Sequence, residues 1–87
     1  MMQLPAIQQL IIQYASEAPG FSTPTSIEDA IDPGPSSMNT AQFNGFFSSL
    51  YGFLATNSIQ THIRLEELGT MTTWAELAGI LYARQTS

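Results

Sequence analysis

The 87-residue chain has no cysteine, no lysine and no valine, and only one histidine, His62. Lack of cysteine excludes a disulfide framework, a thiolate metal site and a cysteine nucleophile together. A lone histidine excludes a multi-histidine metal centre. Charge is also scarce: seven acids face two arginines, for a net charge of −5, and charged residues are 10% of the chain. Phosphate contacts need clustered Lys and Arg, so nucleic acid is not an expected partner, and anionic membrane surfaces are disfavoured for the same reason. No stretch approaches the roughly 20 apolar residues of a membrane span. The opening Met1 to Pro5 has no basic residue, and the apolar residues after it are interrupted by Gln8, Gln9 and Gln13. A signal peptide is therefore not expected, and a folded, cytoplasmic protein is.

Apolar residues make up 44% of the chain, enough for a core, and the length suits one domain over residues 1–87. Leu4, Ile7, Leu10, Ile11 and Tyr14 fall on one face at helical spacing and predict a helix over about 4–17, ended by Ala18-Pro19-Gly20. Residues 18–37 then hold four of the five prolines, which marks a long loop. Inside it, Ser26 to Ile31 predicts one short helical turn capped by Ser26. Phe43, Phe46, Phe47, Leu50 and Leu54 recur at helical spacing and predict a second helix over about 38–55, with Ser37 or Asn39 as N-cap. Gly45 and Gly52 lie within it, and a close helix crossing is the expected reason. Ile63, Leu65 and Leu68, ended by Gly69, predict a short third helix. Thr73-Trp74-Ala75-Glu76 is a capping box, and Trp74, Leu77, Ala78 and Leu81 form one face of a helix over about 74–84. No segment alternates with period two. The expected class is all-α, four helices around one core with a long first connection.

Enzyme templates find little here. A Ser-His-Asp relay would need His62, and no serine lies in a G-x-S-x-G elbow; His62 reads as an ordinary surface or capping histidine. Glu28-Asp29 and Glu66-Glu67 are adjacent pairs whose side chains diverge by about 100° on a helix, so neither forms an acid/base dyad. No glycine loop has a lysine to complete a phosphate cradle. One constellation remains, Gly34-Pro35-Ser36-Ser37-Met38, where a Pro- and Gly-rich loop runs into the second helix. Ser37 is there either a plain helix cap or an exposed hydroxyl suited to carrying a phosphodiester.

On these residues the sequence resembles acyl carrier proteins, four-helix bundles with a long first loop, a short third helix and a G-x-D-S-[LM] motif whose serine carries 4′-phosphopantetheine. Gly34, Ser37 and Met38 match that motif. Ser26-Ile27-Glu28-Asp29 looks like the family segment upstream of it, and Leu65 to Leu77 looks like the third helix and the entry to the fourth. The resemblance implies a non-enzymatic carrier, with phosphopantetheine esterified to Ser37 beside Gly34, Ser36 and Met38. It further implies acyl-chain lining by Phe43, Phe46, Phe47, Leu50 and Leu54. Docking of a phosphopantetheinyl transferase and acyl-transferring or acyl-modifying enzymes would fall on Met38, Asn39, Gln42, Glu66 and Glu67. A monomer without metal, in a fatty-acid, polyketide or nonribosomal-peptide type of pathway, is the corresponding expectation. The chain departs from the pattern in three places. Ser36 stands where the family has aspartate, the second helix is uncharged, and the interval to Thr73 is longer, which puts extra residues near 55–62. The alternative from another class is a helical protein-interaction module in which Ser37 is only a cap.

Overall fold

The computed structural model describes residues 2–18 and 20–85, so Met1 and Pro19 of the segments read above lie outside the described residues. Four helices carry the fold: α1 Leu4–Glu17, α2 Thr40–Thr56, α3 Leu65–Gly69 and α4 Trp74–Ala83. A 3₁₀ turn, Pro35–Ser37, precedes α2. Among the described residues there is no strand, only two isolated antiparallel bridges, Ala30 with Thr73 and Thr61 with Gln85. The protein is all-α.

Helix α1 starts with Pro5 in its first turn, where proline's missing N–H leaves no bond unmade, and buries Ile7, Ile11, Tyr14 and Ala15. Helix α4 packs along it and buries Trp74, Leu77, Ala78 and Leu81. Helix α2 adds Phe46, Leu50 and Leu54, and aromatic rings fill the space between it and α1: Tyr14 lies 6.3 Å from Phe46 and 5.2 Å from Phe53. Each such side chain stabilises the fold by about 1.5–3 kcal/mol on burial. The connections contribute too, through Ile31, Ile59 and Ile63.

The first connection is held to the start of α4. Ile31 N–H donates to the Thr72 carbonyl (3.0 Å) and Trp74 N–H to the Asp29 carbonyl (3.1 Å). The helical turn predicted over 26–31 is present only as one hydrogen-bonded turn from Ser26 to Asp29: Asp29 N–H reaches the Ser26 carbonyl (3.2 Å) and Glu28 N–H reaches Ser26 Oγ (3.3 Å), so Ser26 caps it. The Asp29 carboxylate also accepts from Thr25 N–H (2.6 Å), Thr25 Oγ1 (2.9 Å) and Ser26 N–H (3.3 Å), which closes the turn through its side chain. Across the seam, Glu76 accepts from Thr72 Oγ1 and from the N–H of Thr73 (3.2 Å), while Thr73 Oγ1 takes the Glu76 N–H (3.1 Å), so the capping box is present as read.

These hydrogen bonds hold two carboxyls below their ordinary values, 3.8 for Asp29 and 4.5 for Glu76; the Thr25 N–H is the main cause for Asp29 and the Thr72 hydroxyl for Glu76. A carboxyl lowered in the folded state binds fewer protons there than in the unfolded chain, so stability rises with pH across that range. The contribution is whole above the ordinary values and is lost as pH falls through them to the lowered folded range. The thermal midpoint is therefore expected to be flat from pH 7 to about 5 and to drop below about pH 4.5. In the double variant Asp29→Asn, Glu76→Gln that acid slope should flatten; an unchanged slope would locate the acid sensitivity elsewhere.

Two sequence expectations fail on packing. Among the described residues an added Cβ at Gly45 or Gly52 would meet no atom within 4 Å, so no described helix crosses closely there. In the third helical signal only Leu68 is both helical and buried: Ile63 is buried ahead of α3 on extended chain, and Leu65 is 41% exposed.

Candidate functional site

The segment around Ser37 is built by its proline and glycine. Gly34 leads into the 3₁₀ turn, Pro35 is buried beneath it, and Ser36 and Ser37 are exposed. Ser37 N–H and Oγ both reach the Gly34 carbonyl, at 3.0 and 2.8 Å. Its proton is thus engaged in the turn, on a residue that is exposed. The cap of α2 is Asn39, not Ser37: Asn39 Oδ1 accepts the Gln42 N–H (2.8 Å) and Gln42 Oε1 accepts the Asn39 N–H (3.0 Å). Helix α2 begins at Thr40, so Ser37 sits ahead of the helix with no capping duty.

Two grooves flank this turn and share Met38. The first, about 330 Å³, lies between the end of α1, the first loop and α2; its floor is Tyr14, Phe21 and Phe46, and Gln42, Gly45 and Ser49 line its α2 side. Phe21 and Phe46 pack with ring centroids 4.9 Å apart. The Tyr14 hydroxyl donates to Ser49 Oγ (3.1 Å), and burial pushes its pKa above the ordinary 10.0, with the Ser49 contact pulling the other way. The second groove, about 340 Å³ and more open, runs between the turn, the start of α2 and α3, with Ser36, Phe43, Leu65 and Glu66 among its walls.

The residues read from sequence are distributed around the site rather than gathered at one cavity. Phe46 floors the first groove and Phe43 walls the second. Leu50 and Leu54 lie in the core at 0% and 1% exposure and line neither groove, and Phe47 packs against Tyr51 with tilted rings and centroids 4.6 Å apart. Of the docking set, Met38 joins the grooves, and Asn39 and Gln42 form the α2 cap. Glu67 is engaged twice, accepting the Arg64 N–H (3.1 Å) and pairing with Arg84 (3.0 Å). Glu66 remains exposed at the rim of the second groove. Sequence reasoning missed Phe21, Gly45 and Ser49 as wall residues. Phe21 carried a signal, being the one aromatic residue of the first loop; Ser49 carried none.

What the segment presents is an exposed hydroxyl between two largely apolar grooves. His62 makes a backbone bond to the Arg84 carbonyl (3.4 Å), and no described hydrogen bond joins it to a serine. Among the described residues no group of three or more His, Asp or Glu is placed to hold a metal. No described helix is long and apolar enough to cross a membrane. A phosphopantetheine ester would find Ser37 exposed, with room on both sides of the turn, and would replace the hydroxyl proton that now reaches Gly34. No residue from Gly34 to Asn39 carries charge, so the phosphodiester would be solvated by water and backbone. No family model matches the sequence, and neither a curated protein nor a solved structure matches it.

Proposed function

We propose that the chain is a carrier domain of acyl-carrier type, a four-helix bundle that bears cargo at Ser37 and presents it to partner enzymes. The supporting observation is the exposed Ser37 hydroxyl on a proline-built turn before a long capped helix, in the order α1, long connection, α2, short α3, α4. Bound there, phosphopantetheine supplies a thiol that carries an acyl group as a thioester. Esterification replaces the Ser37 Oγ proton that reaches Gly34, so the loaded chain holds Ser37 through its N–H bond to the Gly34 carbonyl, keeps Ser36 and Met38 beside it, and offers an apolar surface on either side. Tethering raises the effective concentration of cargo at each partner's active site, so no catalytic residue is required of this protein. Its partners in this reading are a phosphopantetheinyl transferase and acyl-transferring or acyl-modifying enzymes, met as a cytoplasmic monomer.

Intact mass after incubation with coenzyme A and a broad-specificity phosphopantetheinyl transferase tests this reading. The native chain should gain one phosphopantetheine and Ser37→Ala none; Ser36→Ala should leave the gain intact and Ser36→Asp should speed it several-fold. No gain with several transferases would reject the carrier and leave the helical interaction module, for which the uncovered surface of α2 at the exposed Gly52 is the favouring observation.

A further inference from the structure

We infer that the cargo rests in the groove between α1, the first loop and α2, and that it is a compact, uncharged acyl group with a planar or aromatic body and an oxygen acceptor. The inference rests on the carrier reading for the word cargo, and on the groove for everything else. The wall at Tyr14, Phe21 and Phe46 is aromatic, and the residues lining the groove carry no charge. Ring edges and faces of this kind favour a flat, polarisable guest over a saturated one. Polar groups converge on the α2 side: Ser49 Oγ takes the Tyr14 proton and so has its own hydrogen to give, and the Gln42 amide nitrogen is not used by the helix cap, which engages that side chain through Oε1. Both are donors, so the complement is a carbonyl or hydroxyl oxygen on the guest. At about 330 Å³ the groove lies at the small end of ligand sites, a size that suits a compact guest.

Gly45 gives the groove its depth. It lines the wall, and a Cβ there would meet nothing within 4 Å, so a side chain would project into open space without striking the fold. A glycine inside a helix costs about 1 kcal/mol relative to alanine, and no packing contact within the chain offsets it. The open volume is what it leaves. The second groove competes poorly for such a guest, having one ring, Phe43, a wider mouth and the Glu66 carboxylate at its rim.

The absence of native cysteine makes a direct test simple. In Ser37→Cys the single thiol is alkylated with a haloacetyl pantetheine-length arm ending in a cinnamoyl or a hexadecanoyl group, and backbone amide spectra are compared with those of the bare arm. The cinnamoyl arm should shift the amides of Phe21, Gly45, Phe46 and Ser49 and leave those of Leu65 and Gly69 in place, and the hexadecanoyl arm should shift the first set far less. Gly45→Leu should abolish the cinnamoyl shifts while the thermal midpoint holds or rises; if that variant does not fold, Ser49→Leu fills the same space from the neighbouring turn. Shifts confined to Leu65 and Gly69, shifts at neither set, or equal response to both arms would overturn the inference. Because the arm is attached chemically, a failure of enzymatic modification at Ser37 rejects the carrier reading without touching this result.

Discussion

Trp74→Ala is expected to abolish cooperative folding. The indole is 0% exposed at the first turn of α4, edge-on to Phe21 at 5.4 Å and to Tyr14 at 6.4 Å, so its removal opens a cavity where α4, α1 and the first loop meet. Truncating a buried tryptophan to alanine costs about 3–5 kcal/mol. A small domain has about 5 kcal/mol at the lower end of the usual range, so little or nothing is left. Thermal unfolding followed by circular dichroism should show a broad, early transition or none. Trp74→Phe separates two effects in the same residue. Trp74 Nε1 is buried with no hydrogen-bond partner, a penalty of about 1–3 kcal/mol that phenylalanine removes while keeping one ring of the two. The Phe variant should therefore fold and lose only about 1–2 kcal/mol. A loss as large as that of alanine would mean the indole N–H is satisfied.

Tyr51→Phe should show the second largest effect. Tyr51 Oη donates to the Ile63 carbonyl (2.8 Å) and accepts the Ile63 N–H (3.0 Å), so one hydroxyl satisfies both backbone groups of a residue that is 4% exposed. That pair of bonds ties α2 to the segment leading into α3, a stretch with no regular backbone ladder. Removing the oxygen leaves a donor and an acceptor unpaired, for a cost of about 2–4 kcal/mol, far beyond what deleting one exposed tyrosine oxygen does. Urea unfolding gives the number directly. Hydrogen exchange at the Ile63 amide should rise by more than the global loss accounts for; equal changes across all core amides would mean the hydroxyl contributes only to overall stability.

The three longer helices were legible because their apolar residues recur at 3.6 spacing and because Thr73 and Glu76 spell a cap that forms as written. Where the structure differs from the sequence pattern, a short polar side chain has two choices. Ser26 starts a turn and caps it, yet the Asp29 carboxylate reaches back to Thr25 and Ser26 and the chain makes a single turn rather than a helical one through Ile31. Ser37 and Asn39 were both possible caps for α2. The turn set by Pro35 brings the Ser37 hydroxyl to the Gly34 carbonyl, and Asn39 is left to pair reciprocally with Gln42, a partner that was visible in the sequence. Leu65 looked like core because apolar residues near a helix end are counted alike, whichever way they face. The site was legible in its attachment residue and only half legible in its walls. Phe43 and Phe46 are i, i+3 neighbours about 60° apart on α2, yet they line different grooves because Met38 lies where the two grooves meet, and the partners of Phe46, Tyr14 and Phe21, come from segments far away in sequence.

The single tryptophan, whose ring edge meets Phe21 and Tyr14, also gives the protein a built-in optical reporter. An indole fully buried from solvent emits toward the blue, and its brightness depends on the groups in van der Waals contact with it. Since Phe21 and Tyr14 are at once its neighbours and the groove floor, a guest that displaces either ring changes the emission. Filling of the groove and loss of the fold can then be followed in one cuvette, the first as an intensity change at constant wavelength and the second as a red shift.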